Sequence, residues 1–189
     1  MKTAEPIRNK NQVKELAAYY LKRGEIRNYV LVVMGVHTAL RISDLLRLRW
    51  DDVYDFENRR VRESISLTEK KTGKSKIIAL NAQIKGALCA YISTAKQGAF
   101  IIVNKRTGKA ISRIQAYRII RAAGEALKCV CRVSCHSLRK TFGYHAWKSG
   151  VSPVIIMDIF NHSSLTVTKR YLGITQDDRN EVYVNLCFT

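Results

Sequence analysis

Strand-type alternation is confined to one stretch of this chain, and that confinement restricts the fold more than any other feature. Over residues 60–68, Val61, Glu63, Ile65 and Leu67 fall on one side. Lys70, Lys71, Thr72 and Gly73 then supply a turn, and residues 74–80 a return strand, which predicts one antiparallel hairpin with a very basic tip. The remaining pattern is helical. Asn9 or Asn11 caps a first helix reaching residue 23, with Val13, Leu16, Ala17 and Tyr20 on one face, and Gly24 ends it. Further helices are expected over 25–38, 42–48, 82–95 after Asn81, 113–128 after Ser112, 135–148, 153–160 after Ser152 and Pro153, and 165–171. Thr175 to Asp178 reads as a capping box for a last helix within 175–186. Only two prolines occur, and no repeat or linker divides the chain. The expected fold is a single domain over residues 1–189, mostly α with a small antiparallel β-sheet (α+β).

The 33 Lys and Arg residues outnumber the 15 Asp and Glu, a net charge of +18. Such a surplus on a folded domain points to a polyanion, whether nucleic acid, ribosome or membrane surface. It reports affinity and no chemistry. Residues 1–6 contain no apolar leader, and the longest apolar run, 29–36, is far too short to span a bilayer. A cytoplasmic, nucleoid-associated protein with no membrane partner is expected. Five cysteines, an odd number, fit a reducing compartment. Cys129, Cys131, Cys135 and His136 cluster, but the one-residue gap between the first two departs from zinc-site spacing, so free thiols are expected and neither metal nor cofactor is assigned.

Five polar residues stand apart: Arg41 upstream, then His136, Arg139, His162 and Tyr171 in the last third. Taken singly, each has an ordinary reading. His136 and Arg139, three apart on a helix, share a face and could simply form a solvated polar side of that helix. Arg41 could pair with Asp44, His162 could cap a helix, and Tyr171 could be an edge aromatic. Together, two arginines, two histidines and a tyrosine can bind a phosphodiester and attack it without a metal.

The sequence around them resembles the tyrosine recombinases, the family of the phage lambda and Xer integrases. Thr38 to Leu45 is similar to the family's first arginine box, and His136 to Phe142 to its H-x-L-R box. Asn161 to Ser164 with Thr168 to Tyr171 is similar to its last box, the tyrosine following nine residues after His162. The basic hairpin also matches. The resemblance runs from about residue 10 to 186. Departures are few: Asp44 stands where Glu is frequent, Phe160 and Asn161 replace Leu-Gly, and Lys140 replaces a second histidine.

The resemblance implies six catalytic residues: Arg41, Lys71, His136, Arg139, His162 and Tyr171, with Lys74 the second choice for the hairpin lysine. Attack on a phosphodiester adds charge to its non-bridging oxygens. Arg41 and Arg139 can hold these bidentately while staying charged. A tyrosine with a pKa of about 10 must lose its proton as it attacks, and His136 is the expected base. Lys71 would protonate the leaving 5′-oxygen, and His162 would position the phosphate. The product would be a 3′-phosphotyrosyl link and a 5′-hydroxyl, with no ATP or metal.

Arg113, Arg118 and Arg121 on the 113–128 helix, with Lys74 and Lys140, are the expected DNA contacts. The first box comes about 40 residues after Met1, which leaves no room for the N-terminal core-binding domain of typical members. The chain is therefore expected to be the catalytic half alone, acting on double-stranded DNA with an accessory DNA-binding protein as a possible partner. It would assemble on DNA as a tetramer, its last helix exchanged in trans. His37 is expected to pack at a helix end, His145 to be structural or DNA-facing, and Phe142 and Trp147 to be core. The alternatives are a relaxing activity of topoisomerase type, a non-catalytic DNA-binding regulator on the same fold, and a basic scaffold.

Overall fold

The computed structural model describes residues 4–129 and 131–187. Residues 1–3, part of the stretch read as lacking a leader, lie outside it.

The apolar run that is too short for a membrane becomes the centre of the molecule. Helix α2 (Ile26–His37) buries Val30 through Val36 with no polar side facing water over that run. Helix α1 (Lys10–Lys22) packs on it through Leu16 and Tyr20. Of the two candidate caps, Asn9 closes α1: its Oδ1 accepts from the backbone of Asn11 and Gln12. The turn out of α2 is tight. Thr38 caps it, and Ala39 adopts φ 56°, a left-handed conformation costly for a side chain with a Cβ. Two one-turn helices follow, α3 (Ile42–Leu45) and α4 (Trp50–Val53). Residues 46–48, expected to extend α3, form a turn instead, and bury Leu46 and Leu48 in the core.

The expected single strand over 60–68 is split between two sheets. Strand β1 (Tyr54–Asp55) pairs antiparallel with β2 (Arg60–Val61), and β3 (Ser64–Thr68) with β4 (Ser75–Ala79). The chain changes partner between them. The Arg62 N–H donates to the Val53 carbonyl while the Glu63 carbonyl accepts from Leu80. Glu63 thereby leaves the inward face that Ile65 and Leu67 occupy. In the long hairpin Ser64 lies opposite Ala79 and Thr68 opposite Ser75. On β4, Lys76 and Ile78 face inward and Ile77 faces solvent.

Helix α5 (Ala82–Ala90), capped by Asn81, ends earlier than expected and passes into a 3-10 turn over Ile92–Thr94. Helix α6 (Arg113–Ala126) is capped by Ser112. The last third is four helices in the expected places: α7 (Cys135–Lys148), α8 (Pro153–Phe160), α9 (Leu165–Leu172) and α10 (Gln176–Asn185). Helix α7 carries Leu138 into α2 at a point where Gly35 makes room: a Cβ there would lie 2.6 Å from Leu138 Cδ1. Helices α7, α8 and α9 enclose a second small core of Ala39, Ile156, Phe160 and Leu172, against which Phe142 and Trp147 pack only partly buried. The N-terminal segment crosses α7, where Ile7 is clamped: its N–H donates to Thr141 Oγ1 and its carbonyl faces His145 Nε2. His145 is thus accounted for structurally. His37 sits at the end of α2 against Asn81.

Candidate active site

The site forms where four chain reversals meet: the α2–α3 turn, the β3–β4 hairpin, the start of α7 and the α8–α9 connection. They bring Arg41, Lys71, His136 with Arg139, and His162, and α9 adds Tyr171 near its end.

Arg41 is the N-cap of α3, so the left-handed turn at Ala39 aims its side chain back across the fold. Its Nη1 donates to Glu69 Oε2 at 2.6 Å, and Nη2 lies 3.5 Å from the Phe160 carbonyl. Arg139, one turn into α7, is 2% exposed. Its Nη2 donates to the Phe160 carbonyl at 2.7 Å and its Nη1 to the Ala39 carbonyl, while the guanidinium stacks 4.5 Å from the Phe160 ring centre. Burial pushes its pKa down to about 10, with Arg41 adding to the effect, so it remains charged at neutral pH. Its Nε is buried without an acceptor among the described residues. Unused donors on two adjacent guanidinium groups make this a place for an anion.

Tyr171 lies on α9 with its ring between the two histidines. The ring centre of His162 is 4.5 Å away, edge to face, and that of His136 is 6.2 Å away. Phe160 backs Tyr171 at 5.4 Å. His162 follows Asn161, the left-handed C-cap of α8, and its Nδ1 sits 3.1 Å from Thr168 Oγ1, which fixes the ring plane. Burial, then Arg139 and Arg41, push its pKa down to about 4, so it is neutral near pH 7. His136 stands in the first turn of α7 with one edge open to solvent. Partial burial, with Arg139, Lys140, Arg113 and Arg41 nearby, holds it below the ordinary imidazole range. A base must be neutral to accept a proton, which the His136 shift favours, whereas an imidazole pushed to about 4 is too weak a base and suits hydrogen bonding to the phosphate.

Lys71 is exposed on the hairpin turn, near enough to disfavour protonation of His162. The turn around it is anchored: the Lys70 N–H donates to Asp44 Oδ1 at 3.0 Å and Thr72 Oγ1 to Glu69 Oε2 at 2.9 Å. Asp44, read as a possible partner of Arg41, instead holds this turn. Lys74 is exposed further along.

Of the expected DNA contacts, Arg113 flanks the same cleft as His136. Arg118 is exposed, and Arg121 is tied to Glu125 and Tyr117. Lys140 requires a correction. It is 8% exposed, and its Nζ donates to the Arg170 carbonyl at 3.2 Å and lies 5.3 Å from the Tyr171 ring centre, so it steadies the end of α9 rather than facing outward. The thiols of Cys129, Cys131 and Cys135 are all pushed up by burial, Cys135 to about 11, which keeps them protonated.

Two groups in the site escaped the sequence reading. Glu69 is fully buried, and Lys76 is half-buried with Nζ donating to the Ile159 carbonyl. Burial and Arg139 push Lys76 down to about 8. Both were legible in principle, since Glu69 continues the inward face of Ile65 and Leu67, and Lys76 that of Ile78 and Leu80.

Over 183 residues the chain is 36% identical to the "Probable integrase/recombinase YoeC" of Bacillus subtilis (strain 168), covering 97% of both chains. It is 27% identical over 165 residues to the tyrosine recombinase XerD of Corynebacterium glutamicum, covering 84% of this chain and 52% of that protein. Its fold superposes on the crystal structure of the XerH site-specific recombinase bound to a palindromic difH substrate with a TM-score of 0.77 at 18% identity, covering 98% of this chain and 54% of that one. The chain thus spans about half the length of these two Xer proteins. Residues 8–177 match the phage integrase family, and the chain belongs to that family.

Proposed function

We propose that this protein is a site-specific DNA recombinase that cleaves and rejoins strands through Tyr171. The observation that carries the reading is the convergence of Arg41, Arg139, His136 and His162 around the Tyr171 ring. Tyr171 Oη attacks the phosphorus, and its proton passes to His136. The phosphate charge that develops is met by the free donors of Arg41 and Arg139. The bond from phosphorus to the 5′-oxygen breaks, Lys71 supplies that oxygen with a proton, and a 3′-phosphotyrosyl link remains. Attack by a 5′-hydroxyl reverses each step and reseals the strand. A pure DNA binder has no use for a tyrosine held between two neutral imidazoles.

Double-stranded DNA is the partner, drawn by the +18 charge. Arg113 and Arg118 at the start of α6, with Lys74 on the hairpin, supply phosphate contacts around the cleft. Protomers assemble on DNA through α10. That helix leaves Val182, Tyr183, Val184 and Leu186 at 59–81% exposure, and an open apolar groove of about 580 Å³ runs between α1, α2 and α7. A second copy's α10 is the occupant that would cover both surfaces.

The test is covalent trapping. Wild type and Tyr171→Phe are incubated with nicked fragments from the region flanking the gene and separated on denaturing gels. Wild type forms an adduct, and the variant binds the same DNA but forms none. An adduct that persists in Tyr171→Phe refutes the nucleophile.

A further inference from the structure

We propose that Glu69 and Thr72 form a clip that sets the register of the hairpin turn, and with it Lys71, against Arg41. The inference rests on the reading of Lys71 as the proton donor and assigns two positioning residues to that step.

A carboxylate beside an anion-binding site is at first sight a liability, since it repels phosphate. Glu69 is nonetheless 0% exposed, and one oxygen serves both sides of the site. Its Oε2 accepts from Arg41 Nη1 at 2.6 Å and from Thr72 Oγ1 at 2.9 Å. Burial alone would raise its pKa, but the Asn161, Arg41 and Thr72 groups outweigh this and hold it ionised. The backbone of Glu69 also closes the turn, its N–H donating to the Lys74 carbonyl at 3.0 Å and its carbonyl accepting from Gly73 at 2.9 Å.

Lys71 therefore sits between two tethered neighbours, Lys70 on Asp44 and Thr72 on Glu69, while its own side chain projects freely. A lysine side chain is long and flexible, so the reach of its ammonium is set by the backbone that carries it. Misplacing a reacting group by about 1 Å costs roughly 100-fold in rate. Because Arg41 and Thr72 share one oxygen, the phosphate ligand and the proton donor are held to a common point. The clip fixes where the proton arrives relative to the phosphate.

The test uses leaving-group chemistry. A DNA strand with sulfur in place of the bridging 5′-oxygen leaves as a thiolate and needs no proton, so it bypasses the acid while still requiring Arg41. Single-turnover cleavage is measured on oxygen and sulfur substrates for wild type, Lys71→Ala, Thr72→Val, Thr72→Ser and Glu69→Gln. Thr72→Val is expected to slow the oxygen substrate about 10–100-fold, with near wild-type rates on sulfur and unchanged DNA affinity. Thr72→Ser retains the hydroxyl and the rate. Glu69→Gln slows both substrates, because Arg41 loses its partner as well. If Lys71→Ala is slow and rescued by sulfur while Thr72→Val is normal, or remains slow on both substrates, the clip is overturned and the acid assignment stands. If Lys71→Ala cleaves oxygen like wild type, the acid assignment falls and takes the clip with it.

Discussion

His162 packs against the Tyr171 and Phe160 rings, and its surroundings oppose its charge, with only Glu69 acting the other way. Burial and the Arg139 and Arg41 guanidinium groups set its pKa at about 4, against an ordinary 6.5. Between those values the unfolded chain holds a proton on this imidazole and the folded chain does not. Protein stability must therefore rise with pH across that window and be lost as pH falls from about 6.5 towards 4. His37, His136 and His145 are shifted down too, so all four histidines act in the same direction. The thermal midpoint should drop over this range in wild type, and His162→Asn should flatten the slope without abolishing it. A variant with the wild-type slope would mean that His162 is not the strained imidazole described. Ala39 bears the matching backbone strain, since its left-handed φ is what delivers its carbonyl to Arg139 and the next turn to Arg41.

At the scale of elements, the site depends on where α8 ends, because its last carbonyls receive Lys76, Arg139 and, more loosely, Arg41. Three cations at a helix C-terminus suit the negative end of its dipole. What seats α8 is a glycine: a Cβ on Gly143 of α7 would lie 2.8 Å from two ring atoms of Phe160 and 3.3 Å from Leu172 Cδ2. Gly143→Ala should thus destabilise by about 1–3 kcal/mol through overpacking, despite the better helix propensity of alanine. Phe160→Leu in the same chain should return part of that loss in urea unfolding. An unchanged midpoint for Gly143→Ala would show that α8 is free to shift. Helices α8 and α10 were readable because Ser152-Pro153 and Thr175 announce their starts by capping chemistry, which is local. The β1–β2 ribbon was not readable, because its two-residue strands carry no period and exist only through tertiary hydrogen bonds such as Arg62 to Val53. The same holds at residue level. Arg41, Arg139 and Tyr171 stood out by their surroundings in sequence. The inward turn of Lys140, the shared oxygen of Glu69 and the reach of Lys76 are set by elements up to 83 residues away.

For the whole molecule, two properties remain to be joined: a net charge of +18, and a last helix whose apolar residues lie exposed. Among the described residues, helix α10 is held through Lys148, which pairs with Asp178 at 2.8 Å and Glu181 at 3.3 Å. Against the cost of its burial, Lys148 and the Thr175 N–H and hydroxyl hold the Asp178 carboxyl down to about 2. Beyond them Val182, Tyr183 and Val184 face outward, and leaving three such side chains in water forgoes stabilisation of roughly 1.5–3 kcal/mol each for a fully buried aliphatic. That arrangement fits a helix whose partner arrives only when protomers gather on DNA. Replacing Val182, Tyr183 and Val184 together by serine leaves the net charge at +18, so phosphate contacts and their salt dependence should be unchanged. Affinity for DNA carrying one trapped site should stay within about twofold of wild type, a difference below 0.5 kcal/mol. On DNA carrying two sites, sedimentation should show wild type forming a larger complex that the triple variant fails to form. If the variant sediments with two-site DNA as wild type does, α10 is not the exchanged element and its apolar face must be satisfied elsewhere.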